Sequence, residues 1–316
     1  MRKTVHFCLA SHDEVLFRSE DDYNYAFNCL ALASLQTESR LLGESFMSDH
    51  YHTCIQTDSL YELIKQTRYA YTRRFNAKYH RLGRLGEMGA FSLELDGIRH
   101  ITTALSYVFR QGLHHGLCTT AYEYQHSSIN CIFRKELGKE KDYALISSWL
   151  RYKYLPDGVK LPDGYRMSSS GLILREDIVD SKYVEELFIT PKAFQYYMTR
   201  ISDNSWIREQ KEEDPNRKPI TLGLIEKAIK LNQEELIRNE FGKVNRSMMT
   251  DTKLCQLIDQ RIVPEYKADS IYEISVNKRK EIADNLLKRY NSRFSNGEHE
   301  CVTDQQLVRC LALKKE

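Results

Sequence analysis

Apolar and polar positions follow two different periods along this chain, and each change of period marks an element. Residues 3–10 read as a strand, and residues 14–17 as a second short one. From Asp21 to about Gln36 the apolar residues Phe27, Leu30, Ala31, Ala33 and Leu35 recur at helical spacing. They follow an acidic Glu20-Asp21-Asp22 start that suits the positive end of a helix dipole. Residues 40–56 have the pattern of a strand pair. Asp58 or Ser59 can then cap a helix over 60–79. After a glycine-broken basic stretch to Gly89, a short strand over 90–95 precedes a helix over 97–114, which Gly116 ends. This order predicts an α+β fold: a ferredoxin-like antiparallel sheet flanked by helices, closing as a domain over residues 1–133.

Residues 134–316 predict a mainly helical accessory region. Asp157-Gly158 and Pro162-Asp163-Gly164 mark turns in a tyrosine-rich connector. Thr190-Pro191 is a cap followed by a proline at the first helical position. Residues 209–219 read as an exposed charged loop, with Thr221 as the next cap. Two helices are expected over 276–290 and 304–313, the second opened by a Thr303/Gln306 capping box. A helix pair of this kind over 276–313 fits a helix-turn-helix DNA binder or an ordinary helical hairpin.

Composition narrows the class. With 41% hydrophobic and 28% charged residues, the 316-residue chain has the balance of a soluble globular protein. No apolar run approaches the ~18 residues of a membrane span, and the first residues do not form a signal peptide. Eight scattered cysteines with no C-x-x-C pair favour reduced thiols and a cytoplasmic location over a disulfide framework or structural zinc. A net charge of +2 does not announce nucleic acid, but its distribution is uneven. Lys65, Arg68, Arg73, Arg74, Lys78, Arg81 and Arg84 follow one another without an acidic residue, interleaved with Tyr69, Tyr71, Phe75 and Tyr79. Cations that track a phosphate backbone, with rings on which bases stack, suit single-stranded nucleic acid. A solvated basic helix whose rings are core residues has the same pattern.

Two further patterns carry chemistry. His50 and His52 lie one residue apart in a strand-like segment, so both imidazoles point to one face and can hold a divalent metal. Tyr107 and Gln111 are four apart, one helical turn, and offer a hydroxyl that can act as a nucleophile and an amide oxygen that can bind a metal. His114 and His115 follow as candidate phosphate contacts.

Four stretches resemble the single-tyrosine HUH transposases, especially the REP-associated tyrosine transposase branch. Met47-Ser48-Asp49-His50-Tyr51-His52 is similar to that family's Met-Pro-Asn-His-hydrophobic-His. Tyr71-Thr72-Arg73-Arg74-Phe75-Asn76-Ala77-Lys78-Tyr79, with Gly83, is similar to its Tyr-Thr-x-x-Phe-Asn-x-x-Tyr and following glycine. The stretch from Tyr107 to Gly116 resembles its nucleophile helix, Tyr-Ile-x-x-Asn-Pro-x-x-x-Gly. Tyr124-Gln125-His126-Ser127-Ser128 resembles its closing Tyr-x-x-Ser-Ser. Tyr51 stands where the family has an aliphatic residue, and Gln111-Gly112 where Asn-Pro is commoner. The resemblance covers about residues 4–133.

It implies a metal-dependent DNA strand transferase. Tyr107 would be the nucleophile, His50, His52 and Gln111 the ligands of Mg²⁺ or Mn²⁺, and Arg68, Arg73, Arg74, Lys78, Arg81 and Arg84 DNA contacts. The expected partner is single-stranded DNA with hairpin ends, cut and rejoined through a 5′-phosphotyrosine; a homodimer is compatible with this. Ligand type alone would equally admit zinc. Two other functions share the pattern: a DNA-binding regulator that keeps the fold but not the chemistry, and an HUH nuclease acting at a replication origin.

Overall fold

Alternation is what builds the centre of the molecule. In the computed structural model, which describes residues 2–200, 203–228, 249–294 and 301–313, four strands form one antiparallel sheet in the order β2-β3-β1-β4. They are β1 (Lys3–Ala10), β2 (Arg40–Phe46), β3 (His50–Thr57) and β4 (Phe91–Glu94). With α1 (Glu20–Gln36) after β1 and α2 (Leu60–Lys78) after β3, this is the expected ferredoxin-like order. The helix α1 begins where Asp22 accepts hydrogen bonds from the backbone of Arg18 (2.9 Å) and Ser19 (3.0 Å), so the first turn is capped from within.

The register fixes which residues share a face. Cys8 lies opposite His52, Ala10 opposite His50 and His6 opposite Cys54, while Leu9 pairs with Tyr51 and Phe7 with Thr53. The odd-numbered face packs on α1 and α2: Phe17 touches Phe46, Tyr51 and Tyr71, and Phe46 stacks on Tyr51 with centroids 4.7 Å apart. The even-numbered face is covered by α3 (Ile98–Phe109). The ladder between β2 and β3 shifts register between Leu41 and Gly43. A Cβ on Gly43 would stand 2.7 Å from the Phe109 ring, so glycine there lets α3 lie close on the sheet.

Three local expectations need correction. Residues 14–17 form no strand; their apolar side chains are buried in two different clusters, Val15 with the C-terminal helices and Leu16 and Phe17 with the sheet. Burial, rather than a β ladder, accounts for that run. The helix over 97–114 is interrupted at Arg110, after which Gln111–His114 forms a separate turn, α4. Residues 209–213 belong to a helix, Asp203–Glu213, because Trp206 is buried and the Gln210 side chain bonds both the N–H and the carbonyl of Ile220 (2.8 and 3.0 Å).

Beyond residue 133 an irregular connector leads, from Arg175 on, into described residues that are mainly helical, and these are tied to the rest of the molecule by buried ion pairs. Arg175 donates to Glu44 of β2 at 2.7 Å, and the fully buried Arg18 pairs with Asp259 at 2.6 Å and donates to the Cys310 carbonyl at 2.7 Å. One hydrophobic cluster runs through residues 7–225, and a second joins Val15 to residues 249–313. The Thr190, Thr221 and Thr303 caps are all formed. In the candidate helix-turn-helix, Val276–Phe294 and Asp304–Cys310 are helices, while the connection over 295–300 lies outside the described residues. No helix among the described residues is long and apolar enough to cross a membrane. None of the eight cysteines is in a disulfide.

Candidate active site

The even face of the sheet is an unusual interior. Instead of aliphatic side chains it presents His6 and Cys8 from β1, Ser45 from β2 and His50, His52 and Cys54 from β3, all buried. Against them α3 brings Tyr107, α4 brings Gln111, and the residue that ends α4 is His115. The His50 and His52 rings are 5.1 Å apart between centroids. Tyr107 lies edge-on to His52 at 5.1 Å, with an interplanar angle of 90°. Gln111 Oε1 is 3.4 Å from His50 Nε2, and its amide nitrogen is 3.4 Å from the Tyr107 carbonyl. The structure therefore gathers all four residues that the sequence singled out for the chemistry, despite the interruption at Arg110.

Each histidine is held by a partner on its far side. Asp49 Oδ1 lies 2.7 Å from His50 Nδ1. A carboxylate there fixes the proton on Nδ1 and turns the Nε2 lone pair inward. Asp49 is in turn 3.5 Å from the Arg309 guanidinium, which also pairs with Asp251 at 2.9 Å. Asp251 accepts from Ser48 (2.7 Å) and Gln306 (3.0 Å). Burial alone would raise the Asp49 carboxyl, but Arg309 and His50 beside it hold it well below the usual carboxylate range. The Nδ1 of His52 is 3.0 Å from His6 Nε2, and its Nε2 is 4.0 Å from Cys8 Sγ. Burial pushes His52 and His115 well below the ordinary histidine range, with His50 adding to it, and takes His6 down to about 3.

Tyr107 is 4% exposed, and its hydroxyl makes no hydrogen bond among the described residues. Burial, with the Glu226 carboxylate adding to it, pushes the phenol well above its usual range. Glu226 follows the short helix Leu222–Ile225 and pairs with His114 at 3.0 Å. The His6 Nδ1 and Ser45 Oγ atoms of the same face are also buried without a partner among the described residues. Orphaned polar atoms beside a concentration of imidazoles are a mark of a site for a polar ligand or cation. The donor chemistry fits a divalent ion: two imidazoles and an amide oxygen, each oriented by a neighbour.

The basic stretch has a different location. Its helix, α2, packs on the odd face, across the sheet from the histidines, and three of its cations are engaged internally. Arg68 donates to the Met88 and Glu87 carbonyls, Lys78 to Ser19 and Asp22, and Arg81 to Glu14, Asn76 and the carbonyls of Gly83 and Arg84. Arg73, Arg74 and Arg84 are exposed, Arg73 lying 3.3 Å from Asp157 and Arg74 over the Tyr25 ring. Among the interleaved rings only Tyr69 is exposed; Tyr71, Phe75 and Tyr79 are core.

Sequence reasoning missed His6, Cys8, Asp49, Glu226 and Arg309. For the first two a signal existed: β1 and β3 carry polar residues in phase, His6 and Cys8 against His50 and His52. The sequence offered no such signal for Glu226 and Arg309, which reach the site from the accessory region.

No protein-family model matches the chain, and no curated protein matches it. Among solved structures, a REP-associated tyrosine transposase bound to a REP hairpin is similar over 43% of this chain and 81% of that one, at 10% identity and a TM-score of 0.37.

Proposed function

We propose that this chain is a metal-dependent DNA strand transferase that cleaves and rejoins single-stranded hairpin ends, with Tyr107 as its nucleophile. The observation that carries the proposal is the convergence of Tyr107 of α3 and Gln111 of α4 on the His50/His52 pair of β3, over one buried polar face of the sheet. The four motifs in register support it independently. His50, His52 and Gln111 would hold Mg²⁺ or Mn²⁺, which when bound polarises a non-bridging phosphate oxygen and offsets charge that develops on it.

The chain's own residues do the rest. Asp49 fixes the His50 proton on Nδ1, and His6 does the same for His52 in the tautomer whose Nδ1–H donates to His6. Both rings then keep their Nε2 lone pairs for a cation. The Tyr107 oxygen attacks the scissile phosphorus; the new O–P bond forms as the P–O3′ bond breaks, leaving a 5′-phosphotyrosine and a free 3′-OH. A 3′-OH attacking in reverse releases Tyr107 and seals the strand, so the bond energy is conserved and no nucleotide cofactor is needed. The acceptor proposed for the phenolic proton is Glu226, which pairs with His114 at 3.0 Å and whose charge helps to raise the Tyr107 phenol. Single-stranded DNA is the partner this chemistry requires, with the exposed Arg73, Arg74 and Arg84 as its contacts in the basic stretch.

A second function, a DNA-binding protein that keeps the fold without the chemistry, is favoured by one observation: Tyr107, His50, His52 and Gln111 are all at most 4% exposed. One experiment separates the two. The wild-type chain with Mn²⁺ and a labelled single-stranded hairpin oligonucleotide is expected to form an SDS-resistant adduct. Tyr107→Phe should form none while binding the oligonucleotide within a few-fold of wild type. No adduct with the wild-type chain would favour the binder, and an adduct with Tyr107→Phe would assign the nucleophile elsewhere.

A further inference from the structure

The tyrosine-rich connector takes no part in the buried polar face, yet it carries the two most exposed aromatic rings among the described residues beyond 133. Within it, Ser148–Tyr154 forms a short 3-10 helix. Such a helix has three residues per turn, so positions three apart lie one above the other. Trp149 and Tyr152 are therefore in line on one face, 70% and 68% exposed. Two large rings left side by side in water mark a surface that meets a partner.

The other side of this helix is fastened down. Tyr154 packs on the hydrophobic core, and a Cβ on Gly171 would stand 2.1 Å from its ring. Asn28 of α1 donates to the Tyr154 carbonyl at 3.3 Å and to the Gly171 carbonyl at 2.7 Å. The charge around the rings has one sign. No acidic residue occurs from 143 to 156, and Arg151 and Lys153 flank Tyr152. Neither cation has an ion-pair partner among the described residues. Asp157 then meets Arg73 of α2 at 3.3 Å, which brings the connector beside the exposed part of the basic stretch. Arg74 follows in sequence, and the exposed Tyr69 lies one helical turn before Arg73.

Resting on the strand-transferase proposal for the nature of the partner, we infer that Trp149 and Tyr152 are a stacking platform for unpaired bases of single-stranded DNA, whose phosphates meet Arg151, Lys153, Arg73 and Arg74. Every base has a π-face, so such a platform accepts any sequence, while a duplex keeps its bases stacked on one another. A protein interface centred on the rings would be depleted of charge at its core; here two cations adjoin Tyr152. The platform is tied to α1 and α2, across the sheet from Tyr107. It therefore holds strand that flanks the scissile phosphate, not the phosphate itself.

Fluorescence makes the test direct, because the chain has two tryptophans and the other, Trp206, is buried. In EDTA, an unstructured single-stranded oligonucleotide should quench the emission of the wild-type chain. An abasic oligonucleotide of the same length, which keeps every phosphate, should bind about tenfold more weakly and quench little. Trp149→Ala combined with Tyr152→Ala should weaken the ordinary oligonucleotide by about tenfold or more, bind both oligonucleotides alike, and keep the wild-type salt slope, since no cation is lost. Arg73→Ala combined with Arg74→Ala should instead flatten that slope by about one to two units. Trp149→Phe, which keeps a ring, should lose the quenching and bind within a few-fold of wild type. Absence of quenching in wild type, or equal affinity for the two oligonucleotides, would overturn the inference without recourse to any variant. So would self-association of the wild-type chain that the double alanine variant abolishes while binding DNA normally, which would assign the rings to a second copy. If wild type forms the SDS-resistant adduct yet does not distinguish the abasic strand, this inference fails and the strand-transferase proposal stands. If it quenches and distinguishes the strands but forms no adduct, the platform stands and the strand transferase fails.

Discussion

The two faces of the sheet are made at its centre from the same two eight-residue strands, yet they could hardly differ more. On β1, Val5, Phe7 and Leu9 turn one way and His6, Cys8 and Ala10 the other; on β3, Tyr51, Thr53 and Ile55 oppose His50, His52 and Cys54. The odd face is an ordinary aromatic core against α1 and α2. The even face and the helices on it place four imidazoles, a phenol and an amide where aliphatic side chains would stabilise the fold more. Several polar atoms there, among them His6 Nδ1, Ser45 Oγ and Tyr107 Oη, are left without partners among the described residues. Buried polar groups in that state cost stability, on the order of 1–3 kcal/mol each. A period of two thus lets one strand serve two ends: its odd residues hold the fold together and its even residues assemble a site.

That division predicts opposite effects from neighbouring substitutions. Phe7→Ala removes a fully buried ring from the odd face and should lower the unfolding free energy by about 3–5 kcal/mol in urea titrations. Cys8→Ala, one residue away on the even face, should cost on the order of 1 kcal/mol because it removes a single sulfur atom. Equal losses at the two positions would mean that the even face is packed as core.

Arg309 tests where the division stops. It belongs to the accessory region, yet it lies between the buried Asp49 and Asp251 carboxylates and reaches the proposed metal ligand His50 through Asp49. Arg309→Ala leaves those carboxylates without their cation, and breaking a buried pair in this way should cost about 3 kcal/mol. Arg309→Lys, which keeps a charge without the planar fork, should recover part of that stability. If Arg309→Ala leaves the melting temperature unchanged, the C-terminal helices do not brace the site.

How much of this was legible in the sequence depends on the range of the interaction. Strand alternation and helix periodicity are local, so β1, α1, the β2/β3 pair, α2 and β4 could be placed, and His50 and His52 fell on one face. Tyr107 and Gln111 could be chosen only through the resemblance of motifs, since a Tyr/Gln pair at helical spacing is common. His6 and Cys8 were within reach of the same alternation, once β1 is known to pair with β3 in that register. The apolar run at Val15-Leu16-Phe17 misled because a segment wedged between two hydrophobic clusters has the composition of a strand. Glu226 and Arg309 had no local signature at all: a charged residue that will be buried against a distant partner looks, in one dimension, like any solvated one. The basic run on α2 shows the converse, since Lys78 and Arg81 find carboxylates elsewhere in the chain.

The smallest effect concerns a hydroxyl embedded in the odd face. Tyr71 donates to the Leu16 carbonyl at 2.5 Å and is buried beside Phe17. Burial, with Asp22 nearby, pushes its hydroxyl well above the usual phenol range. The neutral form is therefore favoured in the folded chain, and the unfolded chain loses its proton first, near the ordinary tyrosine value of about 10. Stability from this group is complete below pH ~10 and is lost as pH rises above it, by up to about 1.4 kcal/mol per pH unit. Tyr71→Phe removes one hydrogen bond, on the order of 1 kcal/mol at pH 7, and should also remove one tyrosine's share of that alkaline slope. Urea titrations of both chains between pH 9 and pH 11 measure the difference, and parallel curves would show that Tyr71 ionises as readily folded as unfolded, so that the odd face is wetter than its aromatic packing implies.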